Sequence, residues 1–190
     1  MFGLRLVVRR RGGWFRCLCL SQEMRYRHAA KAVNTTEAAL FGKKLSEYIQ
    51  FEGWILILIA VVFVIRLGLS LAGTSFSLTR WVSINIVLLV GLIYCSISVH
   101  TTRFGGYKQL FGLLLVQTVL AHILIASAIV LGIVTGTTNA YTTPEVSGGG
   151  NGASWLHALV HLIVGFVLPV FAWLIGSGIL FATKKLKPAA

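Results

Sequence analysis

Acidic residues are scarce in this 190-residue chain, which contains five glutamates and no aspartate. Only 12% of its residues are charged, compared with about 25% in an average soluble domain, whereas 56% are hydrophobic. This balance excludes a water-soluble globular protein, and the abundance of apolar residues excludes a disordered one. The length allows one domain or one membrane bundle and is too short for two sizeable domains.

The chain also lacks the residue patterns of common catalytic and nucleotide-binding sites. A Ser-His-Asp set, paired carboxylates and a dinucleotide fingerprint are missing, and the glycine-rich run 148–152 is not followed by the Lys-Ser or Lys-Thr of a phosphate loop. The three cysteines, Cys17, Cys19 and Cys95, form neither a disulfide framework nor a zinc-ribbon spacing. These absences argue against an enzyme, and no catalytic residue is assigned.

Long apolar runs are the main feature of the sequence. Four of them occur, over residues 54–73, 81–99, 110–135 and 155–182. Each is within or above the range of about 17–25 residues that crosses a bilayer as a helix, and a helix pairs its own backbone groups inside the hydrocarbon. The sequence therefore predicts an all-α integral membrane protein, a four-transmembrane-helix bundle over residues 54–183. All five acids are expected outside these runs, which disfavours a proton-coupled transporter.

Lysine and arginine are distributed unevenly around the runs. Ten of the 17 precede residue 54, two lie between the second and third runs, and three lie in the basic tail 184–190. With four spans these fifteen residues fall on one side, whereas Arg80 falls on the other and Arg66 lies within a run. The positive-inside rule then predicts an N-in/C-in orientation. We expect a bacterial inner membrane, with an organellar inner membrane as the alternative.

The formal net charge of +12 follows from this arrangement. Because the membrane determines where the basic residues lie, the expected partners are the lipid bilayer and its anionic head groups, and nucleic acid is not expected. Other membrane proteins or a second copy of the chain are further candidate partners.

The N-terminal residues precede the first run and divide into two parts. Residues 1–33 carry eight basic residues and one acid and are predicted to be a disordered leader, with an organellar presequence as the alternative. In residues 34–53, Asn34 and Glu37 resemble a capping box. Four apolar residues then recur at helical spacing, namely Phe41, Leu45, Tyr48 and Ile49. This segment is predicted to be a juxtamembrane amphipathic helix on the membrane surface, with a partner-binding helix as the alternative.

Polar residues inside the runs carry the only informative chemistry, because such residues are costly in lipid and usually face the bundle interior. They are Arg66, Asn85, Ser96, His100, Gln117, His122, His157 and His161. At about 1.5 Å per residue, four of these are expected to cluster in the outer half of the bundle, just above His122: Arg66, Asn85, His157 and His161. Four are interpreted as structural polar residues: Asn85, Ser96, His100 and Gln117.

The histidines suggest several sites. His122 and His161 are the natural axial pair for a b-type haem between the third and fourth spans, with Arg66 placed for a propionate, although residue counting puts the two histidines several ångströms apart in depth. A quinone, a lipid or another anionic ligand could use the same residues, or Arg66 could instead reach the outer surface or pair with backbone carbonyls. His157 and His161, an i,i+4 pair, are candidate metal ligands. Interhelical hydrogen bonding with no cofactor explains the same residues.

Three functions follow from these readings. The leading hypothesis is a non-enzymatic subunit or anchor of a membrane complex of redox or respiratory type, and it predicts an exposed small-residue face on the second or fourth span. The first alternative is a b-type haem electron carrier, which needs open space between His122 and His161. The second alternative is a small transporter or channel, which needs a polar path from His100 to the outer cluster.

Overall fold

The fold was obtained as a computed structural model, and the structure describes residues 39–147, 150 and 152–186. The leader 1–33, the proposed cap at Asn34 and Glu37, and residues 187–190 of the tail lie outside this part. The elements follow one another as β1 (Ala39–Leu40), β2 (Lys43–Lys44), α1 (Leu45–Leu71), α2 (Phe76–Thr79), α3 (Ile84–Thr101), α4 (Tyr107–Thr135) and α5 (Trp155–Leu186).

Four helical segments are long and apolar enough to cross a membrane, namely α1, the stretch Phe76–Thr101 that contains α2 and α3, α4 and α5. The predicted helical class and the number of candidate spans are therefore confirmed, and they indicate a multi-pass membrane protein. The N-in/C-in orientation and the identity of the membrane stay predictions.

Basic side chains lie on aromatic rings at one end of the helices. Lys43 Nζ lies 4.6 Å from the centre of the Phe104 ring, and Lys184 Nζ lies 4.3 Å from that of Tyr107. These contacts bring together the start of α1, the connection between α3 and α4, and the end of α5. We call this the basic end, and we call the opposite end, which carries the described residues between α4 and α5 (136–147, 150 and 152–154), the loop end.

The region around Phe41 differs from the predicted amphipathic helix. β1 and β2 pair as a hairpin, and its two turn residues, Phe41 and Gly42, have φ values of 51° and 86°. Positive φ at both central residues is what a tight two-residue hairpin requires, so helix formation stops there despite the helical spacing. α1 then begins at Leu45, where the Glu47 carboxylate accepts the backbone N–H of Lys44 at 2.8 Å.

The helices are unequally buried. α4 packs against α1, α3 and α5 and is the most buried of the four candidate spans. Within the described residues, α1 and α5 have no extensive contact with each other. The apolar core lies along α4, where Leu110, Leu113, Leu114 and Ile129 are fully buried.

Small residues of α5 face inward. A Cβ on Gly165 would lie 3.0 Å from the Cβ of His122, and one on Gly176 would lie 2.7 Å from the Oγ of Ser96. Glycine at these positions lets the helix backbones approach closely. On α3, Gly91 and Ser96 are buried as well. Gly165 and Gly176 therefore do not form the exposed small-residue face that the subunit hypothesis expected, whereas Gly178 and Ala182 of the same helix are exposed.

Candidate functional site

Two histidines meet between α4 and α5. His122 is buried on α4, and its Nδ1 lies 3.1 Å from the Nδ1 of His161 on α5. The ring centroids are 5.3 Å apart, with the planes inclined by 32°. One of the two nitrogens must carry the hydrogen and the other must accept it, so the neutral rings have opposite tautomers.

His157 extends this pair toward the loop end. Its Nδ1 is 2.7 Å from the carbonyl oxygen of Gly152, and because a carbonyl only accepts, this Nδ1 carries the hydrogen. Its ring centroid is 5.0 Å from that of His161. Its backbone N–H donates to Ser154 Oγ at 3.2 Å, near the start of α5. Three imidazoles thus form a row from the bundle interior to the loop end.

The arrangement does not fit a haem between His122 and His161. Two metal–nitrogen bonds of about 2 Å each would hold the ligating nitrogens about 4 Å apart, on opposite faces of a porphyrin. Here the two Nδ1 atoms are 3.1 Å apart and hydrogen-bonded directly to each other. The open space that the carrier hypothesis requires is therefore missing.

The proposed metal pair, His157 and His161, gains no third ligand. Within the described residues no group of three His, Cys, Asp or Glu side chains could hold a metal ion. The Nδ1 atoms of His157 and His161 are engaged with Gly152 and His122 respectively. An imidazole pair alone is a poor metal site, and the hydrogen bonds account for the orientation of the rings.

Arg66 is directed at an aromatic ring from the loop between α4 and α5. Its guanidinium carbon lies 5.0 Å from the centre of the Tyr141 ring, a cation–π geometry. Phe63, one turn earlier on α1, stacks on the same ring at 5.7 Å. Burial raises the pKa of Tyr141 to about 12, an effect that the Arg66 charge opposes. The Arg66 Nε, the Tyr141 hydroxyl and the Thr143 Oγ1 are buried without hydrogen-bond partners.

The same loop folds into the bundle. Asn139, Tyr141 and Thr142 are buried. The Asn139 side chain donates from Nδ2 to the Ala128 carbonyl at 2.8 Å and accepts the Tyr141 backbone N–H at 3.0 Å. Thr142 Oγ1 accepts the backbone N–H of Asn139 at 2.8 Å. The first part of the loop is therefore an anchored segment of the core.

The four residues interpreted as structural differ in their surroundings. Ser96 Oγ donates to the Leu92 carbonyl at 2.6 Å, and Gln117 is buried with its Oε1 unpartnered. His100 is half-buried in the last turn of α3. Asn85 is exposed, so it does not join the expected outer cluster, because Ile84 rather than Asn85 occupies the inward-facing position at the start of α3.

Glu52 is the residue that sequence reasoning missed. It was expected outside the spans, but it lies inside α1 and is fully buried. Cys95 of α3 donates from Sγ to its Oε2 at 3.8 Å. The signal was available in the spacing, since Glu52 shares one helix face with three buried residues, namely Tyr48, Ile55 and Ile59.

Comparison of the chain with models of protein families, with curated proteins and with solved structures finds no match.

Proposed function

We propose that the protein is a non-enzymatic integral membrane subunit or anchor in which the histidine pair fastens α4 to α5. The direct Nδ1–Nδ1 hydrogen bond between His122 and His161 carries this proposal. The Nδ1 atoms of the two rings satisfy each other, and Gly165 lets the helices approach closely beside them. Polar side chains commonly join membrane helices in this way.

The exposed apolar faces of α1 and α5 also support the subunit proposal. α1 and α5 each contact the bundle along a narrow stripe and expose large apolar side chains, among them Ile57 and Val64 on α1 and Phe166 and Phe171 on α5. Lipid or neighbouring membrane proteins would cover these faces. We extend the proposal to a redox or respiratory assembly in a bacterial inner membrane, with an organellar inner membrane or a homo-oligomer as the alternatives.

A small transporter or channel is the second candidate function, and one observation favours it. The expected absence of acids from the spans argued against transport, but Glu52 is buried inside an apolar helix that is long enough to cross the membrane. Ionisable residues in such positions often belong to ion or proton pathways.

Purification of the tagged full-length chain from its native membrane in mild detergent tests both functions. For a subunit we expect native mass spectrometry to show a partner, or further copies of the chain, in a fixed ratio. A monomer that supports ion flux in liposomes would instead favour the second candidate.

A visible spectrum of the same preparation tests the haem alternative. With haem available during expression, we expect no Soret band and no sharpening of α and β bands on reduction with dithionite. A b-type spectrum that His122→Ala abolishes would refute the direct histidine pair as the functional state.

A further inference from the structure

Glu47 and Glu52 lie on the same helix in opposite environments. Glu47 forms an ion pair with Lys43 at 3.2 Å and also accepts the Lys44 backbone N–H. Glu52, five residues further along α1, is fully buried. Within the described residues no lysine, arginine or histidine forms an ion pair with it. The helix therefore places one of its acids beside a cation and the other inside the bundle without one.

The two carboxyl oxygens of Glu52 have only one hydrogen-bond donor between them. Oε2 receives one hydrogen bond, from Cys95 Sγ at 3.8 Å, and a thiol is a weak donor. Oε1 is buried and has no partner. A charged carboxylate accepts hydrogen bonds only, whereas the protonated acid supplies a donor of its own. Burial without a counter-charge therefore favours the protonated acid.

A second unpartnered acceptor lies one helical turn away. The Oε1 of Gln117, on α4, is buried without a partner. Gln117 packs on Gly91, and a Cβ at Gly91 would also meet Ile55 at 3.2 Å. Gly91 precedes Cys95 by one turn on α3, and Ile55 follows Glu52 by about one turn on α1. Both unpartnered atoms are hydrogen-bond acceptors.

The backbone at Glu52 is irregular. Its φ and ψ are −110° and 15°, which interrupts the helical geometry of α1. Glu52 lies seven residues from the start of the helix, about 10 Å along its axis, on the side of the basic end. The ionisable groups that the packed elements bring to this region are Tyr94 and Cys95 from α3 and Lys43 from β2, and α4 brings no charged side chain to the level of Gln117. Lys43 is bound to Glu47.

We propose that Glu52 is a proton-binding site inside the bundle. Its carboxylate takes a proton from a hydronium ion, so that an O–H bond forms and water is released, and the acid returns the proton to water. This inference deepens the second candidate function, and it does not depend on the subunit proposal.

Infrared difference spectroscopy of the full-length protein in liposomes tests the site directly. At neutral pH we expect a carbonyl-stretch band of a protonated carboxylic acid that disappears in Glu52→Gln and persists in Glu47→Gln. Glutamine has nearly the shape of the protonated acid, so the Glu52→Gln variant should fold. After overnight transfer to D₂O the band should shift to lower frequency. Absence of the band, or a band that does not shift, overturns the proposal.

Carbodiimide labelling gives a second readout of the same site. A protonated carboxyl adds across one C=N bond of dicyclohexylcarbodiimide, and rearrangement to an acylurea releases no leaving group. Peptide mass spectrometry should find this apolar reagent mainly on Glu52, with less labelling at alkaline pH. Predominant labelling of Glu47 would contradict the proposal. Loss of the Glu52 signals while a fixed-ratio partner is still found would refute this inference and leave the subunit proposal standing.

Discussion

The Nδ1 atoms of His122 and His161 lie 3.1 Å apart and join α4 to α5, the two helices that also approach each other closely at Gly165. His157 stacks near His161, but its own hydrogen bond goes to Gly152. The three histidines are therefore adjacent without being equivalent, and this difference can be measured.

We expect His122→Ala and His161→Ala to be coupled. Each substitution removes the partner of the other ring, so the double variant should lose less stability than the sum of the single variants. Interhelical hydrogen bonds in membranes give coupling energies of about 0.6 kcal/mol, with a maximum of about 1.7 kcal/mol. SDS titration in mixed micelles measures the free energies of unfolding of wild type, the two single variants and the double variant, and these four values give the coupling energy of the double-mutant cycle. The pair His122→Ala and His157→Ala is the control and should be additive. Equal coupling in both cycles would contradict a specific His122–His161 bond.

Two glycines of α5, separated by one residue, provide a matched test of packing. A Cβ at Gly176 would lie 2.7 Å from Ser96 Oγ and 2.9 Å from Leu92 Cδ1, whereas one at Gly178 meets nothing within 4 Å. Gly176→Ala should therefore destabilise the protein by about 1–3 kcal/mol through overpacking. Gly178→Ala should be neutral or stabilising by up to about 1 kcal/mol, from helix propensity alone. Similar unfolding free energies for the two variants would show that α5 does not pack on α3 in this register.

Asn139 should hold the loop in place. Asn139→Ala removes the bond to the Ala128 carbonyl and leaves the Tyr141 backbone N–H without its acceptor. The expected cost is about 1–3 kcal/mol, together with faster proteolysis within residues 136–154. Thr138→Ala is the control, because Thr138 is exposed and adjacent. Equal cleavage rates for both variants in detergent would mean that the anchor contributes nothing.

Much of the fold could be predicted because apolar length alone identifies the spans. The pairing of His122 with His161 could be predicted too, but their meeting at one depth could not, because counting from the span ends assumed that α4 and α5 end at one level. Instead the loop folds back to Ala128, seven residues or about 10 Å before the end of α4. The hydrogen bonds that hold the loop there are made by the Asn139 side chain, and the pattern of apolar residues in the sequence does not reveal them.

Glu52 shows the opposite limitation. Its spacing from Ile55 and Ile59 predicts a place on their buried stripe, whereas its charge predicts a place outside the spans. Asn85 was assigned to the interior on polarity alone and is exposed. For both residues, the helix face was a better guide than the chemical type of the side chain.

The orientation can be tested with reporter fusions. The basic end carries Lys43, Lys44, Lys184 and Lys185, and the positive-inside rule places such residues in the cytoplasm. Green fluorescent protein fused after residue 190 should therefore fluoresce in a bacterial host. Alkaline phosphatase fused after residue 147, in the loop, should be active, and the same enzyme fused after residue 190 should be inactive. The reverse pattern would refute the N-in/C-in prediction.

Tyr141 should make stability depend on alkaline pH. Its pKa is raised to about 12 from an ordinary value of 10.0, so the folded protein favours the protonated phenol. This contribution is complete below pH 10 and is lost as the pH rises through about 12. Tyr141→Phe keeps the ring beneath Arg66 and removes the titrating hydroxyl, which has no partner. The variant should be no less stable at neutral pH and should lose less stability above pH 10. Unfolding curves at several pH values compare it with wild type and with Thr138→Ala, which keeps the phenol. If the stability of Tyr141→Phe fell as steeply above pH 10 as that of Thr138→Ala, the fold would not be holding the Tyr141 phenol in its protonated form.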